Sequence, residues 1–374
     1  MSGNITPITM PKFGLAMTEG KLASWSLPVG TEVSAGDELA DIETSKITNG
    51  YESPAAGILR RQVIPEGETI PVGTLIGILA DADVSDVEID SFIKNFNDNF
   101  SSGETKDKAS EETPRRIVEV DDLRISIQES GIGNEGTAVL LIHGFGGDVS
   151  NWMLTQSALS SSNHVIAFDL PGHGESTKQV GDGSPKEFAK TVESLIKSLD
   201  LPNVHVVGHS LGGAIALELA KSAPELVKTL TLIAPAGLGQ DINMNFINGF
   251  IEADRRKTLE PVLQYLVHDK SMISRQMVEG IIRYKRLDGV VNGLKTIASA
   301  SFPDGRQAVS LRSILEEFDQ PSQVLWGEQD EILSVKDADG LPSAIPVTRY
   351  ANAGHMPQLE QAAAVNATIS SFIA

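Results

Sequence analysis

The stretch Val204-His205-Val206-Val207-Gly208-His209-Ser210-Leu211-Gly212-Gly213 reads as a buried strand running into a sharp turn. A helix is expected to follow from Ala214 to about Lys221. The turn is Gly208-His209-Ser210-Leu211-Gly212, a Gly-x-Ser-x-Gly pattern. Small residues at Gly208 and Gly212 let strand and helix approach closely. Such a turn lifts the Ser210 hydroxyl off the end of the sheet. It also aims the Leu211 N–H and the positive end of the helix dipole at an oxyanion forming there. Five residues alone also fit a glycine-rich helix start made for packing. The strand before and the helix after favour the nucleophile reading.

A serine hydroxyl is a weak nucleophile until a base takes its proton, and the base needs an orienting acid. The expected chain order on a parallel sheet is serine, acid, histidine. Leu325-Trp326-Gly327-Glu328-Gln329-Asp330 puts Asp330 just past a strand end, with Glu328 and Glu331 as rival acids. Ala353-Gly354-His355-Met356 puts His355 past the next strand. His143-Gly144-Phe145-Gly146-Gly147 is expected to supply a second oxyanion donor, the Phe145 N–H. His143, His173 and His209 read as structural residues shaping loops around the site. His164, His205 and His268 carry no argument for catalysis.

Outward from the elbow, strand signals recur at 124–129, 138–143, 164–169, 204–207, 227–234, 323–326 and 347–351, with helical patterns between most of the later ones. That alternation predicts a mostly parallel, doubly wound sheet, its first strands antiparallel. From 237 to 318 the strand pattern stops, and a helical lid over the strand ends is expected. The elbow, the acid, the histidine, the His143 loop and Phe168-Asp169-Leu170-Pro171-Gly172-His173-Gly174-Glu175-Ser176 closely resemble the α/β-hydrolase family, in the right order over residues 116–374. Gly131-Ile132-Gly133-Asn134-Glu135-Gly136 matches a dinucleotide fingerprint, but a strand follows it, so a hairpin turn is expected. No metal motif is found.

Residues 1–80 have short strands and frequent turn signals, which predicts an all-β module. Gly30-Thr31-Glu32-Val33-Ser34-Ala35-Gly36 and Gly67-Glu68-Thr69-Ile70-Pro71-Val72-Gly73 repeat in spacing and suggest two sheets related by a pseudo-two-fold. Between the repeats lies Ile42-Glu43-Thr44-Ser45-Lys46-Ile47-Thr48-Asn49-Gly50, with Lys46 where a hairpin would turn. One lysine at a turn is ordinarily only a solvated surface residue. The whole stretch, however, resembles the lipoyl domain of 2-oxo-acid dehydrogenase-type complexes, with Met10 to Gly20 similar to its first strand and turn. The resemblance implies a flattened β-barrel with lipoic acid amide-linked to Lys46. Ser45 departs from the acidic residue many members carry. Ser45 and Ile47 also differ from the methionines usual beside a biotinyl lysine.

Residues 81–115 read as an acidic helix followed by a linker. Ile89, Phe92, Ile93, Phe96 and Phe100 share a helical face, and Ser85 with Glu88 forms a capping box. Packing on its own domain is favoured over a partner-binding role. Residues 101–113 are polar; about 20 disordered residues would span roughly 25 Å and reach at most ~65 Å.

The net charge of −20 argues against nucleic acid and anionic membranes as partners. There is no cysteine, hence no disulfide and no thiolate metal site. No signal peptide and no bilayer-spanning run are recognised, which fits a cytoplasmic protein.

A lipoyl domain fused to an α/β-hydrolase domain resembles the dihydrolipoamide acetyltransferase components of certain bacterial acetoin dehydrogenase complexes. The resemblance implies a thiamine-diphosphate-dependent acetoin dehydrogenase component, dihydrolipoamide dehydrogenase and a lipoylating enzyme as partners, and coenzyme A as acyl acceptor. Ser210, Asp330 and His355 would pass the acetyl group from lipoyl-Lys46 to coenzyme A. The alternative is a serine hydrolase acting on an ester, thioester or carbon–carbon bond, tethered by the lipoyl domain. A scaffold with a silent triad is a third reading. No coenzyme A motif is recognisable.

Overall fold

The computed structural model describes residues 5–11, 19–34, 36–43, 48–53, 55–101 and 114–374. The chain divides into two units, Met1–Glu111 and Glu112–Ala374, each with its own apolar core.

In the first unit the described strands are β1 (Ile5–Thr9), β2 (Glu19–Trp25), β3 (Glu32–Val33), β4 (Glu38–Glu43), β5 (Thr48–Glu52), β6 (Gly57–Gln62), β7 (Thr69–Pro71) and β8 (Leu75–Ala80). They form two sheets, ordered β1-β8-β6-β3 and β5-β4-β2-β7. Alternating apolar residues such as Ile8, Leu22, Ile42, Leu59 and Leu79 fill one core. The sequence repeat is visible in the backbone. Gly30 and Gly67 take φ 93° and 88°, and Gly36 and Gly73 take φ 91° and 86°. β3 and β7 follow the first glycine of each pair, and β4 and β8 follow the second. β8, β6 and β3 occupy in one sheet the places of β4, β2 and β7 in the other, the expected pseudo-two-fold. β4 and β5 pair antiparallel with Glu43 opposite Thr48, so residues 44–47 connect them. Lys46 and most of the Met10 to Gly20 stretch lie outside the described residues.

Helix α1 (Asp86–Ser101) begins directly after the expected capping residue Ser85. Ser85 sets its start: the Glu88 N–H donates to Ser85 Oγ at 3.3 Å and the Ser85 N–H to Glu88 Oε2 at 2.9 Å. Ile89 is fully buried against Leu75, Ile78, Ala80 and Val84, so the helix packs on its own unit. The Phe100 side chain and the linker residues 102–113 lie outside the described residues.

In the second unit β9 (Arg116–Val120), β10 (Leu123–Ser130), β11 (Ala138–Ile142), β12 (Val165–Phe168), β13 (Val204–His209), β14 (Val227–Ile233), β15 (Ser322–Gly327) and β16 (Val347–Tyr350) form one sheet. Its order is β16-β15-β14-β13-β11-β12-β10-β9. β11 to β16 pair parallel, while β10 runs antiparallel to β9 and β12. Two expectations need correction. β9 was not anticipated, because an edge strand with three exposed residues lacks a continuous apolar run. The Gly131 segment is a turn, with the Asn134 N–H donating to Gly131 O at 3.1 Å, but not a hairpin, since β12 separates β10 from β11.

β11 and β12 are apolar throughout because both faces of the sheet are covered there. Leu140, Ile142 and Val206 pack under α3 (Pro185–Ser198) and α4 (Leu211–Ser222). Val139, Leu141 and Val207 face Trp152 together with α2 (Met153–Leu159) and α11 (Ala362–Ile373), which follows α10 (Pro357–Glu360). Between β14 and β15 lie α5 (Met244–Glu252), α6 (Arg256–Leu263), α7 (Arg275–Lys285), α8 (Val290–Ser301) and α9 (Arg312–Glu317), the expected helical lid. Among the described residues no helix is long and apolar enough to cross a membrane.

Candidate active site

Ser210 occupies the single residue between β13 and α4, at φ 55° and ψ −119°. A non-glycine residue at positive φ is strained, and here its surroundings hold it there. Its N–H donates to Ile233 O at 3.0 Å. Its carbonyl accepts from the N–H groups of Gly213, Ala214 and Ala236, at 2.8, 3.3 and 3.0 Å. The two glycines of the elbow are steric requirements. A Cβ at Gly208 would come within 2.5 Å of Gly212 O, and one at Gly212 within 2.2 Å of Ile142 O. Helix α4 therefore starts at Leu211, three residues earlier than the apolar pattern suggested, and presents its N-terminus beside Ser210.

Asp330 follows β15 and His355 follows β16, at the same carboxyl edge of the sheet as Ser210. His355 Nδ1 lies 2.8 Å from Asp330 Oδ2, with both side chains buried. Oδ2 also accepts from Trp326 Nε1 at 2.9 Å, and Oδ1 from the N–H groups of Ile332 and Leu333 at 2.8 and 3.0 Å. Burial pushes the Asp330 carboxyl up, but the adjacent His355 charge and the hydrogen bonds from His355, Leu333 and Ile332 outweigh it and hold it below the usual carboxylate value. An ionised carboxylate only accepts, so the ring proton sits on Nδ1, and Nε2 is left as the basic nitrogen. The rival acids are elsewhere. Glu331 is half-exposed and pairs with Lys270, and Glu328 is exposed.

The link between this pair and the elbow is His209. Its ring lies 4.8 Å from the His355 ring, and its Nε2–H donates to His355 O at 2.8 Å. Burial, with the His355 charge, pushes His209 down to about 3, so it stays neutral and acts as a clamp. Glu360 holds the His355 loop from the other side. Its carboxylate accepts from the N–H groups of Gly354 at 2.6 Å, His268 at 2.6 Å and Asp269 at 3.1 Å, tying the loop to the lid.

The loop after β11 closes over the elbow. A Cβ at Gly144 would stand 2.9 Å from Ser210 Cβ. The Gly146 N–H donates to His173 Nε2 at 3.1 Å and the Gly147 N–H to Gly144 O at 3.1 Å. Among the described residues, the Phe145 and Leu211 N–H groups make no hydrogen bond to a protein acceptor, which leaves both for a ligand. His143 fixes the loop, its Nδ1–H donating to Gly144 O at 2.8 Å while Nε2 accepts from the Leu170 N–H at 3.0 Å. Burial pushes His143 below its ordinary value, and burial above all pushes His173 down to about 3. Both histidines are thus neutral scaffolding. The Phe145 ring packs on Phe250 of α5 and on Phe302, at 5.8 and 6.4 Å between centroids, so the lid roofs this loop with aromatic rings.

The structure thus brings Ser210, Asp330, His355, Phe145 and Leu211 to one end of one sheet. Trp326, His209 as a clamp, Glu360 and the Phe250–Phe302 roof were not assigned from sequence.

The family model for the α/β-hydrolase fold matches residues 137–362, and that for biotin-requiring enzymes matches residues 6–79. A dihydrolipoyllysine-residue acetyltransferase component of the acetoin cleaving system from Pseudomonas putida is 40% identical over 369 residues, covering 99% of this chain and 98% of the relative. Its counterpart from Cupriavidus necator is 38% identical over 373 residues, covering 100% and 98%. Among solved structures, a meta-cleavage product hydrolase from Pseudomonas fluorescens aligns with a TM-score of 0.62 at 21% identity, over 69% of this chain and 96% of that one, a likeness of fold alone. The chain belongs to the family of dihydrolipoyllysine-residue acetyltransferase components of acetoin cleaving systems.

Proposed function

We propose that this chain is the acetyltransferase of an acetoin cleaving system, moving an acetyl group from a thioester to coenzyme A through Ser210, with His355 as base and Asp330 as its orienting acid. The observation that carries the reading is the buried Asp330–His355 pair beside a strained serine elbow, in a chain similar over its whole length to named acetyltransferases. His355 Nε2 takes the Ser210 proton as Oγ bonds to the acetyl carbon. The Phe145 and Leu211 N–H groups hold the oxyanion. The C–S bond breaks, and the proton returns from His355 to the departing sulfur. The acceptor thiol then gives its proton to His355, its sulfur bonds to the acetyl carbon, and the bond to Oγ breaks as His355 returns the proton to Oγ. The aromatic rings of Phe250 and Phe302 cover the oxyanion loop and limit the water that can compete.

Lys46 is the residue that would hold lipoic acid. The register of β4 and β5 leaves room for a four-residue connection carrying one primary amine, which fits an amide-linked arm. When bound, the group supplies a dithiol able to carry an acyl group as a thioester. The relatives' names, as components of a system, support assembly with a thiamine-diphosphate-dependent acetoin-cleaving enzyme and dihydrolipoamide dehydrogenase. A cytoplasmic setting fits a chain without cysteine.

Acetyl-dihydrolipoamide supplied with and without coenzyme A tests the reading. Acetyl-coenzyme A should form with the wild type and fall by at least about 10³-fold with Ser210→Ala. Unchanged transfer in that variant would remove Ser210 from the mechanism. Free acetate as the sole product would make the chain a tethered hydrolase, the second reading that the half-buried, water-accessible Ser210 favours.

A further inference from the structure

The chain has a net charge of −20, yet residues 255–286, the middle of the lid, hold eight Lys and Arg against three Asp and Glu. Part of that excess is neutralised locally. Arg256 pairs with Glu260 at 2.9 Å, Arg275 with Glu279 at 2.8 Å and Lys270 with Glu331 at 2.5 Å. Lys285 is buried and donates to the carbonyls of Phe250 and Ala253. Arg283 and Arg286 are exposed, and neither has a carboxylate partner among the described residues. The dipole of α7 favours cations at its C-terminal end. It does not account for a basic excess along a whole segment of an acidic chain.

The place of these two arginines gives the excess a meaning. Three residues apart, they share one side of α7. Between them stand the side chains that fasten this end of the lid. Tyr284 Oη donates to Gly172 O at 2.7 Å. Lys285 grips the end of α5, whose Phe250 ring lies on Phe145. The free guanidinium groups therefore stand on the solvent side of the helix end whose other side anchors the roof over the oxyanion loop. Leu287, 52% exposed, adds an apolar surface beside Arg286. Coenzyme A has its thiol at one end of a flexible arm and its phosphates and purine at the other. It needs cations set back from the nucleophile, and guanidinium groups bind phosphates in bidentate fashion.

We propose that Arg283 and Arg286, with Leu287, form the binding site for the phosphorylated nucleotide end of coenzyme A, from which the thiol reaches Ser210. The inference rests on the transferase reading for its purpose, but its test does not. Equilibrium binding of coenzyme A and steady-state transfer to coenzyme A and to pantetheine are compared in the full chain and in Arg283→Glu/Arg286→Glu. The expected result is a rise of tenfold or more in the Kd and KM for coenzyme A. The KM for pantetheine and the hydrolysis of neutral p-nitrophenyl acetate stay unchanged. Added salt should raise the wild-type KM for coenzyme A and affect the variant less. Unchanged coenzyme A binding overturns the site. An equal rise with pantetheine, which carries no nucleotide phosphate, also overturns it. If the wild type binds coenzyme A through these arginines but acetylates neither thiol, the transferase reading fails and the site stands.

Discussion

Asp330→Asn is the sharpest test of the site. All four groups around the Asp330 carboxylate are donors: His355 Nδ1–H and Trp326 Nε1–H on Oδ2, and the Ile332 and Leu333 N–H groups on Oδ1. An asparagine offers one oxygen and one NH2. Whichever way it turns, two buried donors face another donor. At about 1–3 kcal/mol for each unsatisfied group, the second unit should lose ~2–6 kcal/mol of stability. If the amide oxygen stays on the backbone side, the NH2 meets His355 and selects the tautomer with its proton on Nε2. That tautomer cannot accept the Ser210 proton, and kcat should fall on the order of 10⁴-fold. Steady-state hydrolysis of p-nitrophenyl acetate, at a temperature where circular dichroism shows the variant folded, reads the catalytic part. Urea denaturation reads the other. Glu331→Gln is the control, since Glu331 pairs only with Lys270 at the surface and should leave kcat within twofold. A kcat for Asp330→Asn within tenfold of wild type would refute the assignment of the acid and the tautomer argument together. The pH dependence follows from the same geometry. Because the folded-state pKa of Asp330 is depressed, its contribution is fully present above the ordinary value of about 3.9 and is lost as pH falls through the lower folded value.

Glu360→Ala frees the N–H groups of Gly354, His268 and Asp269, so the His355 loop should loosen from the lid and kcat fall by up to about 10²-fold with little change in secondary structure. Faster hydrogen exchange at 266–269 and 353–356 should accompany it; wild-type exchange there would count against the tether. His173 and His209 are both held at about 3 in the folded chain, against about 6.5 when unfolded. Their contribution is therefore complete above pH ~6.5 and is lost as pH falls toward 3, at up to about 1.4 kcal/mol per pH unit for each. Urea midpoints followed by Trp fluorescence from pH 7 to pH 5 should fall accordingly, and a flat profile would contradict the neutral assignment.

Much of the architecture was legible because it rests on local chemistry. The glycine pairs at Gly30/Gly36 and Gly67/Gly73 mark left-handed turns that recur at the same places in two sheets. Apolar runs such as Ala138–Ile142 announce strands covered on both faces. The capping residues Ser85 and Glu88 set the start of α1. What failed to show was the amphipathic edge strand β9, and the insertion of β12 between β10 and β11. Strand order is a matter of which edge is free when the chain returns, and no residue encodes it locally.

The sequence by itself determined the serine elbow, the order of serine, acid and histidine, and the two-unit plan, because each depends on residue type and spacing along the chain. Only the tertiary structure decided between Asp330 and its neighbouring glutamates. That choice depends on which carboxylate is buried against His355 after β15 and β16 pair, with Trp326 and two backbone N–H groups arriving from the same turn. The roles of His209 and Glu360 were decided in the same way. Their partners lie 146 and 92 residues away along the chain, and only folding brings such groups within a hydrogen bond of each other.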